Sequence, residues 1–144
     1  MIRYSYSLKE DLEVCILSKK IKHSNIPRDR FFEWLQTDRE TKYVFVHYDK
    51  GDIDAYMVLV PRVVDGENRL LLYSTYVPVS NGLTKEFNDT MEQFAKSLGL
   101  YKIQSRVTRN PDSMIRKWGF KLDSYIITKE LTNGKSTENK TTSA

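Results

Sequence analysis

The chain has 144 residues, with 23 Lys and Arg against 19 Asp and Glu, a net charge of +4, and one cysteine, Cys15. That length suits a single domain with its own core. One cysteine excludes an internal disulfide framework, and no apolar run approaches the ~20 residues that span a bilayer. The opening residues hold no apolar signal-peptide core. The expectation is a cytoplasmic protein with no membrane partner.

Ile2, Tyr4 and Tyr6 alternate with polar residues and predict a first strand. Ser7 to Glu10 reads as a capping box. Leu8, Leu12, Cys15 and Ile16 follow at helical spacing, with Lys19 and Lys20 near the helix end. His23 to Pro27 breaks that helix. A short second helix is expected to bury Phe31, Phe32, Trp34 and Leu35. Tyr43–Tyr48 and Ile53–Val60 are rich in β-formers and are joined by a hairpin turn at Asp49–Asp52. Val63–Asn68 reads as a second turn, and Leu70–Val77 as a fourth strand. Leu83, Phe87, Met91, Phe94, Ala95 and Leu98 mark one face of a long helix, which Gly99 ends in the left-handed conformation. Leu100–Val107 predicts a strand, Pro111–Lys117 a short helix and Phe120–Thr128 a last strand. The tail from Thr132 to Ala144 is nearly devoid of apolar residues and is expected to be disordered, leaving a domain at 1–131.

The order is therefore β-α-α-β-β-β-α-β-α-β, an α/β (α+β) chain. An antiparallel meander comes first. The right-handed crossover through the long helix then makes strands four and five parallel, giving a mixed sheet. The basic excess lies in residues 101–130, with seven basic and three acidic groups. Such a segment suits either a solvated face or attraction to phosphates. Nucleic acid is not an expected partner, because the excess is small and no recognised motif accompanies it.

This element order resembles the GNAT superfamily of acetyl-CoA-dependent N-acetyltransferases. So do Val77-Pro78 before a glycine-led helix, Ala95–Leu100 before the fifth strand, and Asn110 followed by a short helix and Lys117-Trp118-Gly119-Phe120. The resemblance implies acetyl-CoA as cofactor, lying in the splay between strands four and five. Val77 and the nearby backbone would hold the pantetheine and thioester. Val79, Ser80, Asn81, Gly82, Leu83 and Thr84 form the window that would hold the pyrophosphate, and Asn110 would close the channel. The physical basis is that amides opening a helix lack internal partners and attract phosphate. The window departs from the family pattern, since Val79 replaces a basic or amide residue and Thr84 a small one. Ser80 or Asn81 acting as a plain helix N-cap fits the same residues.

The chemistry asks for a base to take a proton from the amine and a backbone donor for the thioester oxygen. It also asks for an acid to protonate the thiolate. Ile115 stands where many relatives carry the acidic Tyr. Tyr73 and Tyr76 are the candidates to substitute, against packing roles in a strand; His47 is the candidate base, against a surface or packed role; and His23 lies in a loop where the family often binds the acceptor. Two readings follow. One is a divergent N-acyltransferase acting on an unidentified small-molecule or protein amine. The other is a non-catalytic GNAT-fold protein for binding or assembly with a protein partner. Asn110 to Gly119 also resembles small GNAT-like internal virion proteins of tailed bacteriophages, which would place the chain in the host cytoplasm or the virion.

Overall fold

The computed structural model describes residues 1–21, 26–106, 112–122, 129 and 131. Five strands, β1 (Ile2–Ser5), β2 (Tyr43–Asp49), β3 (Asp52–Val64), β4 (Glu67–Tyr76) and β5 (Ile103–Ser105), form one sheet in chain order. The first three pairings are antiparallel, and β4–β5 is parallel. Helices α1 (Leu8–Ser18) and α2 (Phe31–Gln36) pack on one face, while α3 (Thr84–Ser97) and α4 (Asp112–Trp118) pack on the other. The mixed sheet is the expected one. Of the anticipated last strand, residues 120–122 are irregular and 123–128 lie outside the described residues, as does the 132–144 tail.

The hairpin between β3 and β4 is tighter than expected. Its turn is only Asp65-Gly66, and both strands run further toward it. Pro61 therefore sits inside β3, opposite Leu70. It fits because β2 has already ended, at Tyr43 opposite Leu59. The missing N–H would have faced that vacated edge, because Leu70 turns its own amide away, to the Lys102 carbonyl. Gly99 ends α3 as expected. With φ at 73°, it lets the Leu100 amide bond Ala95 O at 2.9 Å and its own amide bond Lys96 O at 2.9 Å.

Each sheet face carries one core layer. Val14, Leu17, Phe31, Leu35, Val44, Val46, Tyr56 and Val58 pack under α1 and α2. Phe45, Ala55, Met57, Leu59, Leu70, Leu72, Phe87, Met91 and Trp118 pack under α3 and α4. Fully burying one such side chain contributes ~1.5–3 kcal/mol. On α2, Phe31 and Leu35 are buried as expected, whereas Trp34 is half-buried and Phe32 is exposed.

Helix α1 reverses the expected orientation. Leu8, Leu12 and Ile16 are 60%, 48% and 63% exposed, while Glu10, Asp11, Val14, Leu17 and Ser18 face inward. Two polar clusters account for this. The Ser7 hydroxyl accepts the Glu10 amide at 3.1 Å, as a capping residue should. The Glu10 carboxylate then accepts from Ser7 Oγ, Ser5 Oγ at 2.8 Å, an Arg3 guanidinium nitrogen at 2.7 Å, and the Tyr48 hydroxyl. Asp11, on the next position, takes a two-pronged contact from Arg39, with Nε at 2.8 Å and a second guanidinium nitrogen at 3.1 Å, plus Gln36 Nε2 at 2.7 Å.

Burial opposes the Glu10 charge most strongly. The donations from Tyr48, Arg3, Ser5 and Ser7 together outweigh it and hold the carboxyl at about 2, down from 4.5. A carboxyl lowered by folding stabilises the folded state above its unfolded value. That contribution is lost as pH falls through the folded one. Wild-type stability is therefore expected to decline between about pH 4.5 and 2, and Glu10→Gln to flatten that decline while costing ~2–3 kcal/mol at neutral pH. Urea unfolding across this range checks it, and an unchanged acid profile in Glu10→Gln would refute it.

Candidate functional site

Among the described residues, β4 parts from β5 partway along its length, a split within the sheet: against β3 the strand is paired as far as Tyr76, against β5 from Leu70 to Leu72. A bulge marks the boundary. Leu72 lies opposite Leu59 and Ser74 opposite Val58, so Tyr73 is the extra residue of the bulge. Leu70 and Leu72 face the α3 layer, whereas Tyr73 and Tyr76 face the α1/α2 layer. Backbone groups alternate along a strand. Followed from Leu70 through the bulge, the alternation turns the Thr75 N–H and C=O toward the β5 side. No described strand residue pairs with Thr75 there.

Just beyond β4, Val79–Asn81 form one 3₁₀ turn, Gly82 takes φ 68°, and α3 starts at Thr84. Neither Ser80 nor Asn81 is the N-cap. That position is Leu83, whose side chain has no oxygen to offer and packs into the α3 core layer. The reason is the left-handed Gly82, which ends the 3₁₀ turn with its amide bonded to Val79 O at 3.2 Å and places the helix start three residues later than a Ser80 cap requires and two later than an Asn81 cap requires. The Thr84, Lys85 and Glu86 amides open α3 with no capping side chain from the N-cap position. Val79 is 69% exposed and Ser80 exposed, while Val77 is half-buried. The window from Val77 to Thr84 is thus one continuous turn at the end of β4. Asn110 and His23 lie outside the described residues.

On the α1/α2 face the split end of β4 carries a line of rings. Tyr73 lies 5.4 Å from Trp34 between ring centroids, and Arg62 donates to its hydroxyl at 2.6 Å while lying 5.2 Å over its ring. Lys20, at the end of α1, lies 5.9 Å above the Tyr76 ring. Between them, the buried Tyr56 and Ser74 hydroxyls share a hydrogen bond of 2.7 Å. Burial raises the Tyr56 phenol above its ordinary value, so it stays protonated. Cys15 of α1 packs half-buried against this layer. Burial first, and Asp11 second, push its thiol up to about 11, which removes it as a thiolate nucleophile at neutral pH.

His47 is not gathered with the two tyrosines. It pairs with Ala55 on β3, two strands and about 10 Å from the end of β4. Strand alternation puts it on the α3 face, with Tyr43 and Phe45. A second bulge, with Asp54 as its extra residue, brings Asp54 Oδ1 to 2.7 Å from His47 Nδ1. Ile115, on α4, is 38% exposed. Among the described residues no three His, Cys, Asp or Glu side chains gather as a metal site, and no helix is long and apolar enough to cross a membrane.

A mixed sheet opened between two parallel strands, with a crossover helix starting at the split, defines the GNAT fold. No family model matches the sequence, and no curated protein matches it. Solved structures do match. An aminoglycoside antibiotic 6'-N-acetyltransferase from Acinetobacter haemolyticus superposes with a TM-score of 0.73 at 16% identity, covering 92% of this chain and 98% of that one. A predicted acetyltransferase with acetyl-CoA, from Clostridium acetobutylicum, gives 0.70 at 13% identity, covering 90% and 96%. A ribosomal-protein-alanine N-acetyltransferase from Brucella melitensis biovar Abortus 2308 gives 0.65 at 19% identity, covering 90% and 99%. The chain has the GNAT acetyltransferase fold.

Proposed function

We propose that the chain is an acetyl-CoA-dependent N-acyltransferase with the site at the split end of β4. The observation that carries this is the coincidence within ten residues, among the described residues, of two backbone surfaces suited to a ligand. One is the β5-facing edge of β4 at Thr75, beyond the last β4–β5 pair. The other is the start of α3, whose N-cap is Leu83. A thioester oxygen needs a fixed backbone donor, and a pyrophosphate needs helix-opening amides.

On this reading the Thr75 amide holds the thioester oxygen, Val77 lines the pantetheine, and the backbone from Ser80 to Thr84 holds the pyrophosphate. Acetyl-CoA, when bound, supplies the acetyl group as a thioester. The amine nitrogen bonds to the acetyl carbon, the C–S bond breaks, the amine gives up one proton and the thiolate gains one. Tyr76, at the end of β4, is the candidate donor of that last proton in place of Ile115. The acceptors named for the neighbours, an aminoglycoside and a ribosomal protein alanine, differ so widely that they leave the acceptor here open.

A second reading, a GNAT-fold protein for binding or assembly without catalysis, is favoured by Ile115 on α4 and by the exposed Val79 in the phosphate window. Melting with acetyl-CoA separates the two. A hundredfold excess over its dissociation constant adds ~2.7 kcal/mol, a rise of about 8–14 °C for a domain of this size. No rise at millimolar acetyl-CoA would leave the binding protein.

A further inference from the structure

The acyltransferase reading leaves the acceptor unnamed, and the side chains around the split narrow it. An amine reaching Thr75 has to come from one sheet face. The α3 face is filled there by Ala55, Val77, Leu83 and Phe87, all packed in one core layer. The α1/α2 face presents the half-buried rings of Tyr73, Tyr76 and Trp34 instead.

The charges beside those rings are positive. Lys20 sits over Tyr76 at one end, and Arg62 sits over Tyr73 at the other. Both side chains belong to exposed residues. A third cation, Lys42, lies 4.9 Å over the Trp34 ring but is buried and donates to the Thr37 carbonyl, so it backs the ring rather than facing a ligand. Asp38 and Glu40 act on Lys42 from the turn after α2.

The carboxylates of α1 that point inward are consumed. Glu10 is held by Arg3, Ser5, Ser7 and Tyr48, and Asp11 by Arg39 and Gln36. Asp54 faces His47, and Glu67 pairs with Arg69 and Lys102 at the opposite end of β4. Of the described residues on β3 and β4, none brings a carboxylate to the ring line. A polycationic amine would meet two like charges there and no carboxylate from the described residues of β3 or β4, which disfavours its binding. Flat aromatic walls with a cation at each end suit an anion on an apolar body.

The geometry points to an acceptor amine that carries a carboxylate on a flat apolar body, seated on Tyr73, Tyr76 and Trp34 with its carboxylate on Lys20 or Arg62. This rests on the acyltransferase reading for the direction in which the amine must point. The ring line and its two cations supply the selectivity.

Three probes separate the features: phenylalanine, phenethylamine, which lacks the carboxylate, and spermidine, a polycation. Their binding to the full chain is measured by ligand-observed NMR, with and without acetyl-CoA. Phenylalanine is expected to bind at least tenfold more tightly than either other probe. Lys20→Gln or Arg62→Gln should reduce that advantage at least threefold, and Arg62→Lys should restore part of it. Both positions are exposed, and the two independent variants guard against one misfolding. A protein that melts higher with acetyl-CoA yet prefers phenethylamine or spermidine overturns the acceptor proposal and leaves the acyltransferase reading standing. A protein indifferent to acetyl-CoA that still prefers phenylalanine overturns the acyltransferase reading and leaves the anionic-amine site standing. Absence of phenylalanine binding in both conditions also overturns the proposal.

Discussion

Asp11→Ala is expected to destabilise the fold by ~3–5 kcal/mol, enough to unfold a large fraction of a marginally stable domain. Asp11 is 2% exposed and lies 2.8 Å from Arg39 Nε. Its removal leaves a guanidinium in a poorly hydrated place with its main counter-charge gone. Arg39 also donates to the Lys42 carbonyl at 2.7 Å and the Ser5 carbonyl at 3.0 Å, so it joins β1, α1 and the start of β2. Arg39→Met strips the donor from both carbonyls and strands Asp11. It should cost as much as Asp11→Ala. An apolar double replacement, Asp11→Leu with Arg39→Met, usually recovers most of the loss of a buried pair. Here it should recover only part, because the two carbonyls still lack their donor. Chemical denaturation of the three variants is the measurement. A single-variant cost below ~1 kcal/mol would mean that the pair is solvated and that α1 is held by its apolar contacts alone.

Thr84→Asp is expected to weaken acetyl-CoA binding tenfold to a hundredfold while leaving the fold as stable or slightly more so. Position 84 is the first residue of α3. A carboxylate there complements the helix dipole by ~0.3–1 kcal/mol. The same charge a few ångströms from a bound pyrophosphate repels it by ~1–3 kcal/mol at the effective dielectric of a protein surface. Opposite signs for stability and binding make the result readable. Gly82 is a poorer place for the charge. Its φ of 68° strains any L side chain, even though a Cβ there meets nothing within 4 Å, so a loss of binding would be confounded with a distorted turn. Titration of acetyl-CoA by calorimetry decides the matter. Undiminished affinity in folded Thr84→Asp would move the pyrophosphate away from the start of α3.

The element order as far as α4 and the mixed sheet were legible because they rest on local signals. Alternation marks the strands, the Ser7 cap and the Gly99 stop bound their helices, and the crossover fixes the parallel pair. The orientation of α1 was not legible. Leu8, Leu12 and Ile16 look like an inward stripe, and only Arg39, Gln36 and Tyr48, 25 to 38 residues away from their partners, make it favourable to bury Glu10 and Asp11 instead. The long helix was legible to within one residue at each end, but the alternative with Ser80 or Asn81 as its cap fails, because nothing in the sequence shows that Val79–Asn81 form a 3₁₀ turn. The bulge left one readable trace. Leu70 and Leu72 keep a spacing of two, but Tyr73 and Tyr76 are three apart and share a face, which an unbroken strand forbids. The Tyr56–Ser74 bond and the cations over the rings arise from pairing between strands and helices, and no local spacing encodes them.

The extra residue at Tyr73 adds one ring to the α1/α2 face without disturbing the phase of β4 against β3. Leu72 and Ser74 oppose Leu59 and Val58, which are consecutive on β3, so loss of Tyr73 leaves the hydrogen-bonded ladder free to close with every other residue on its present face. Ser74 would still meet Tyr56, and Tyr76 would still lie under Lys20. A single-codon deletion here would thus straighten the strand and remove the ring that Trp34 and Arg62 contact, with the rest of the sheet unchanged in facing.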